Sequence, residues 1–215
     1  MTQTSLSGNL AVMQTLGLSG ESRRSDGRLK SIFWPAVENA WDVNDLGRQG
    51  FWICLIIAVF QLVVSLATGN LIVIVTGAAA ALSFLIGGMG VRESSWPAAA
   101  LVFSIFFVDL LYSMATGRFP GVLSIVAAAI LLSNVRAAFL ASEWRPAGEE
   151  EDKPARFHDT LGDKLTDQLP ARAWPVLQTP YYVLAALVLF LSLVGLGLAL
   201  LQRFGIIPHA GAVQL

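Results

Sequence analysis

The feature that most constrains this chain is an almost unbroken apolar stretch over residues 51–91. As one straight helix, about 41 residues would span roughly 60 Å, twice the thickness of a bilayer's hydrocarbon core. The stretch therefore has to fold back, and Thr68-Gly69-Asn70 is its turn-forming cluster. We predict one membrane-spanning helix over 51–67 and a second over 71–90, joined by a tight hairpin.

Apolar spans and polar breaks alternate along the rest of the chain. Pro97 opens a third span over 96–115, a glycine- and proline-containing turn precedes a fourth over 121–141, and 181–201 is a fifth without any charge. Only 13% of the 215 residues are charged, against roughly 25% in a soluble domain. We predict an all-α integral membrane bundle of about five transmembrane helices plus interfacial amphipathic helices.

The same alternation predicts five parts in chain order. They are a disordered cytoplasmic tail at 1–30, an interfacial helix and four-helix bundle at 31–142, a cytoplasmic connector at 143–178, the fifth transmembrane helix at 179–204 and an outer tail at 205–215. The interfacial helix is predicted over 33–46, where Phe33, Trp34, Val37 and Trp41 recur at steps of three and four.

Lysine and arginine are distributed unevenly between the predicted loops. With the N-terminus in the cytoplasm, only Arg118 and Arg203 of the 14 lie outside, and Arg136 in the fourth span reaches the headgroups by snorkelling. The positive-inside rule favours this orientation. All six tryptophans fall on the cytoplasmic side as well: Trp34, Trp41, Trp52, Trp96, Trp144 and Trp174. We predict a bacterial inner-membrane protein with a cytoplasmic N-terminus and an outer C-terminus.

Two stripes with a spacing of four residues run through the connector. They are Phe157, Leu161, Leu165 and Leu169, and Asp159, Asp163 and Asp167. An offset of two positions is about 200° around a helix, so the stripes lie on opposite faces. We predict an amphipathic helix over 157–169 that ends at Pro170. Its acidic face is expected in solvent, and its apolar face against the membrane surface or the inner end of the bundle. Contact with the bundle is favoured, because an acidic helix is only weakly attracted to anionic lipid.

Asp109 is the charged residue predicted to lie deepest, about 13 residues or roughly 20 Å into the third span. A charged aspartate at the bilayer centre costs about 2.5–3.5 kcal/mol, so this carboxyl has to be protonated, paired or in a wet cavity. One interpretation is a proton or cation relay with Gln61 and Asn134. The other is a structural carboxyl bonded to neighbours such as Gln61, Ser65 or Tyr112.

Small residues recur every four positions on three predicted spans. The stripes are Ala129, Ser133, Ala137 and Ala141 on the fourth span, Ala79, Ser83 and Gly87 on the second, and Gly195 with Ala199 on the fifth. Such stripes let helix backbones approach closely. We predict that they face other helices, of this chain or of a partner.

The sequence contains no phosphate-binding loop, dinucleotide fingerprint, HExxH or GxSxG motif. A single cysteine, Cys54, excludes an intramolecular disulfide, and His158 and His209 leave little for a histidine metal site. A net charge of −1 gives no field that attracts nucleic acid. We predict no catalytic residues, no cofactor and no metal.

Three short motifs, RQGFWIC at 48–54, GMGVR at 88–92 and NVRAAF at 134–139, together resemble an uncharacterised family of small bacterial multi-pass membrane proteins. The resemblance covers about 35–142. It implies a four-helix hydrophobic domain and assigns no activity.

The layout also resembles the membrane portions of bacterial signal-peptidase-like proteins. Those enzymes use a serine followed by methionine at the outer face, with a lysine base on an outer domain. Here Ser113-Met114 is followed by Ala115 without the expected proline later in the motif, and Lys164, like the other lysines, is predicted to be cytoplasmic. The resemblance therefore implies a relative without that catalysis.

The sequence favours a non-enzymatic subunit or scaffold that binds other membrane subunits, with an undetermined oligomeric state. A small transporter or proton-coupled channel using Asp109 is the alternative. A non-catalytic signal-peptidase-like relative is a further alternative.

Overall fold

The computed structural model describes residues 37, 40–144 and 161–206. Its five long helices are α1 Ala40–Ala67, α2 Leu71–Arg92, α3 Trp96–Ala115, α4 Val122–Trp144 and α5 Leu169–Arg203. An α-helical turn, Leu161–Asp163, and a π-helical stretch, Lys164–Gln168, lead into α5; residues 161–168 are called the docked segment below. All five long helices are apolar and long enough to cross a bilayer. The predicted all-α membrane bundle is confirmed, and the chain is a multi-pass membrane protein.

The hairpin between α1 and α2 lies at the predicted turn. Gly69 adopts a positive φ of 65°, which glycine tolerates without steric cost. The Asn70 side chain accepts hydrogen bonds from the backbone N–H groups of Ile72 and Val73, at 2.9 and 3.4 Å. This is the N-cap that starts a helix immediately after a turn.

The separate interfacial helix predicted over 33–46 is not seen in its described part. From Ala40 onward the chain already belongs to α1, which runs for 28 residues without a break. Val43 and Leu46 are buried in a small cluster with Ala137 of α4, so packing against α4 extends the helix beyond its membrane span. The predicted N-terminal tail, the connector over 145–160 and the outer tail after residue 206 lie outside the described residues.

The predicted helix end at Pro170 is also wrong. Pro170 lies in the first turn of α5, where a residue without an N–H is tolerated because that group has no helical partner. The helix then continues through Pro175 and Pro180 to Arg203. The last part of the predicted connector therefore belongs to the fifth long helix.

Helix α2 is the centre of the bundle. It packs against α1, α3 and α5, while α4 contacts α1 and α3, and α5 also lies along α3. The main core forms where these helices meet, and includes Phe51, Phe84 and Ile105. Large apolar side chains such as Phe60 and Leu123 are exposed on the outer surface, which is the surface that lipid covers in a membrane protein.

Candidate functional site

A buried arginine at the end of α2 organises one end of the bundle, called the Arg92 end below. The Arg92 side chain is 2% exposed, and it pairs with the carboxylate of Asp167 in the docked segment, which is 6% exposed. Burying two charges is costly unless both are paired and their remaining groups are hydrogen-bonded. The surroundings of Arg92 therefore decide whether this arrangement is stable.

The Arg92 guanidinium donates to three residues on two different elements. Its Nε donates to Asp167 Oδ1 at 2.9 Å and to the Thr166 carbonyl at 3.2 Å, and its Nη2 donates to the same carboxylate oxygen. Its Nη1 donates to the side-chain and backbone oxygens of Asn44, at 2.8 and 3.1 Å. One side chain thus joins α1, α2 and the docked segment, and its position in the last turn of α2 also suits the negative end of the helix dipole.

A second, more exposed ion pair also joins the docked segment to the bundle. Arg48 Nη2 of α1 lies 3.0 Å from Asp163 Oδ1. Asp163 and Asp167 are the described members of the predicted acidic stripe, and they face the bundle. Leu161, by contrast, is 85% exposed. The predicted orientation of the amphipathic helix is therefore wrong: its acidic face is inside and its leucine face is outside.

Aromatic side chains of α5 pack on glycines of α2 near this ion pair. A methyl group added to Gly90 would lie 2.5 Å from the Trp174 ring, and one added to Gly87 would lie 2.8 Å from the Tyr181 hydroxyl. The Tyr181 hydroxyl donates to the Ala98 carbonyl at 3.3 Å, and the Trp174 and Tyr181 rings are 5.5 Å apart. Trp174 is thus buried inside the bundle, whereas Trp52 and Trp96 are exposed at the same end.

Asp109 lies where α3 meets α5. Asp109 is half-buried, and the Ser192 side chain of α5 interacts with its carboxyl. One turn further along, the exposed ring of Tyr112 comes within 3.9 Å of a methyl group added to Gly195. The predicted neighbours did not include Ser192, because the pairing of α3 with α5 was not part of the prediction.

The other predicted polar residues lie at other helix contacts. Asn134 is buried and donates to the Ile130 carbonyl at 2.9 Å, and its side-chain oxygen lies 2.5 Å from a methyl group added to Gly50 of α1. Gln61 lies in α1 beside Gly77 of α2. Arg136 is half-buried on α4. Asp109, Gln61 and Asn134 thus lie at three different helix contacts. The relay predicted from them stays a prediction.

The predicted small-residue stripes lie largely within the bundle. Ser83, Gly87, Ser133, Ala137 and Ala199 are buried, and Ala79, Ala129, Ala141 and Gly195 are half-buried. Contacts between helices of this chain thus use most of these positions. A methyl group added to Gly197, however, would meet no atom within 4 Å.

The Ser113-Met114 pair lies in the last turn of α3, at the end of the bundle opposite Lys164 of the docked segment. Arg203 Nη1 donates to the Met114 carbonyl at 2.7 Å. Within the part of the chain that the structure describes, no cluster of three histidine, cysteine or acidic side chains could hold a metal ion.

In comparisons with known proteins, no family model, no curated protein and no solved structure matches this chain. The fold and these sites define a multi-pass membrane protein with a buried ion pair at one end. The family resemblances stay predictions.

Proposed function

We propose that the protein is a non-enzymatic subunit or scaffold of an assembly in the bacterial inner membrane, with the Arg92 end in the cytoplasm. The charge distribution supports the orientation. Among the described residues, the Arg92 end contains Arg48, Arg92, Lys164 and Arg172, and the opposite end contains Arg118 and Arg203. The positive-inside rule places the first group in the cytoplasm.

The observation that carries the proposal is that Asp109, within a membrane span, is only half-buried by the helices of this chain. An aspartate facing acyl chains is costly, so polar groups at this depth generally face protein or water. A second transmembrane segment lying over the junction of α3 and α5 would cover this carboxyl and offer it a hydrogen-bond donor.

The surface around Asp109 suits such a contact. Tyr112 is exposed one turn away and supplies a hydroxyl. Gly195 on α5 leaves the backbone close to the surface beside Tyr112, and a glycine at such a position allows another helix to approach closely. We call the surface formed by Asp109, Tyr112, Ser192 and Gly195 the α3–α5 face.

A photoreactive amino acid in place of Tyr112, in the full chain in native membranes, tests the proposal. We expect a protein adduct of defined mass, whereas the same amino acid in place of Phe60, an exposed residue of α1, should give lipid adducts. The Asp109→Asn substitution should lower the yield of the protein adduct because it removes the carboxyl to which the partner donates a hydrogen bond. Lipid adducts alone at position 112 would contradict the proposal.

A further inference from the structure

The acidic and the basic side chains of the docked segment and the start of α5 lie on two different sides. Asp163 and Asp167 pair with Arg48 and Arg92 of the bundle. The other side has an open depression of about 360 Å³, which we call the outer face; it is lined by Leu161, Lys164, Leu165, Gln168, Leu169 and Arg172. None of these six lining residues is acidic, so a segment with two aspartates presents a cationic and apolar surface.

The outer face lies at the level of the membrane boundary. Helix α2 has 22 residues and is therefore about 33 Å long, close to the thickness of the hydrocarbon core. Arg92 is its last residue, so the docked segment that bonds to Arg92 lies where the core meets the headgroups. Trp52 and Trp96 are 36% and 45% exposed at the same end, as expected for tryptophans at a membrane interface.

From the docked segment into α5, the chain advances further along its own helix than along α2. Asp167 and Trp174 are seven residues apart, which is about 10 Å of helix. Their contacts on α2, Arg92 and Gly90, are only two residues apart, or about 3 Å along that helix. The bundle occupies the acidic side of the docked segment, so the outer face is the side turned away from the bundle.

We propose that the outer face binds the headgroups of anionic phospholipids. The three leucines insert between the upper acyl chains, and Lys164 and Arg172 contact lipid phosphates, the arrangement typical of an interfacial amphipathic helix. Each cation near an anionic surface strengthens binding about fivefold, so the pair accounts for about 25-fold. This inference does not depend on the α3–α5 face.

The test uses the full chain with Cys54→Ala and a fluorophore attached to Leu161→Cys, the most exposed leucine of the outer face. The protein is placed in nanodiscs of phosphatidylcholine and phosphatidylglycerol with a trace of nitroxide-labelled lipid of either type. We expect labelled phosphatidylglycerol to quench the fluorophore much more strongly than labelled phosphatidylcholine, and salt to reduce the difference.

The variant Lys164→Gln with Arg172→Gln should remove this preference. The matched control is Arg118→Gln, which changes an exposed cation at the opposite end and should leave the preference intact. Both variants should keep the parent's thermal unfolding midpoint, because they alter exposed side chains.

Four results would overturn the proposal. Equal quenching by the two lipids shows that charge is not recognised, and a fluorophore that neither lipid quenches shows that the outer face lies away from the bilayer. Loss of quenching as the number of chains per disc rises shows that protein covers the face. Loss on adding inorganic phosphate at constant ionic strength shows a site for small anions.

Discussion

The two halves of α5 are held against the bundle by different kinds of contact. Near the Arg92 end, the docked segment is joined by a buried ion pair, and Trp174 and Tyr181 fit against glycines of α2. In the other half, α5 meets α3 through small residues, the Asp109–Ser192 interaction and an exposed hydrogen bond from Arg203 to the Met114 carbonyl. The buried ion pair and the tight aromatic contacts therefore lie at one membrane boundary.

This difference suggests a division of roles within one helix. The buried Arg92 guanidinium fixes the start of α5, because moving the docked segment away would leave Arg92 and Asp167 as buried charges without each other. The half beyond Tyr181 borders the α3–α5 face and has no buried ion pair among the described contacts. We expect the first half to set stability and the second half to be available for partners.

Arg92→Ala should have the largest effect on stability. It leaves Asp167 buried without its partner, a change that costs about 3–5 kcal/mol in the free energy of unfolding. Denaturant titration in mixed micelles measures this. The control is Arg48→Ala, which breaks an ion pair whose arginine is 49% exposed and should cost about 0–1 kcal/mol. Equal losses for the two variants would remove the distinction between a buried and a peripheral ion pair.

Gly90→Ala should have an intermediate effect. Its added methyl group would lie 2.5 Å from the Trp174 ring and 2.6 Å from Ala98 Cβ, so α5 or α3 has to move. Overpacking of this kind costs about 1–3 kcal/mol, and it should be seen as a lower thermal unfolding midpoint. Gly197→Ala on the other half of α5 adds the same methyl group in open space and should not lower the midpoint. A Gly90→Ala protein as stable as Gly197→Ala would show that the aromatic contact is loose.

Tyr181→Phe should have the smallest effect. It deletes the hydroxyl that donates to the Ala98 carbonyl at 3.3 Å and leaves the ring in place. The expected loss is about 0.5–1.5 kcal/mol in the free energy of unfolding, measured by the same denaturant titration. Tyr112→Phe removes a hydroxyl from the exposed α3–α5 face and should leave the unfolding free energy of the isolated chain unchanged. If Tyr112→Phe lowers the free energy of unfolding more than Tyr181→Phe does, the second half of α5 is the more tightly held.

Local signals were sufficient for the transmembrane layout. The length of 51–91 and the turn at 68–70 predict the first hairpin, and the third span has the predicted bounds. These local signals gave wrong helix bounds where packing between helices determines where a helix begins or ends. The aromatic pattern before residue 51 predicts a separate helix, but burial of Val43 and Leu46 against α4 extends α1. Pro170 reads as a helix end but lies in the first turn of α5.

The sites were harder to predict than the spans. Arg92 and Asp167 are 75 positions apart, and nothing in either local sequence shows that they meet. Asp109 was recognised as unusual from its depth alone, whereas its neighbour Ser192 depends on how α3 and α5 align. Periodicity identified the two faces of the 157–169 segment but assigned the wrong one to the interior.

The sequence by itself determined that the described part of the chain has five helices long and apolar enough to cross a membrane, because apolar length and turn residues act locally and the bilayer fixes the length of a span. Only the tertiary structure decided which side of each helix is buried. In water the leucine face of the docked segment would turn inward, but at a membrane boundary lipid can accept leucines. The aspartates instead turn inward, because Arg48 and Arg92 are there to pair with them.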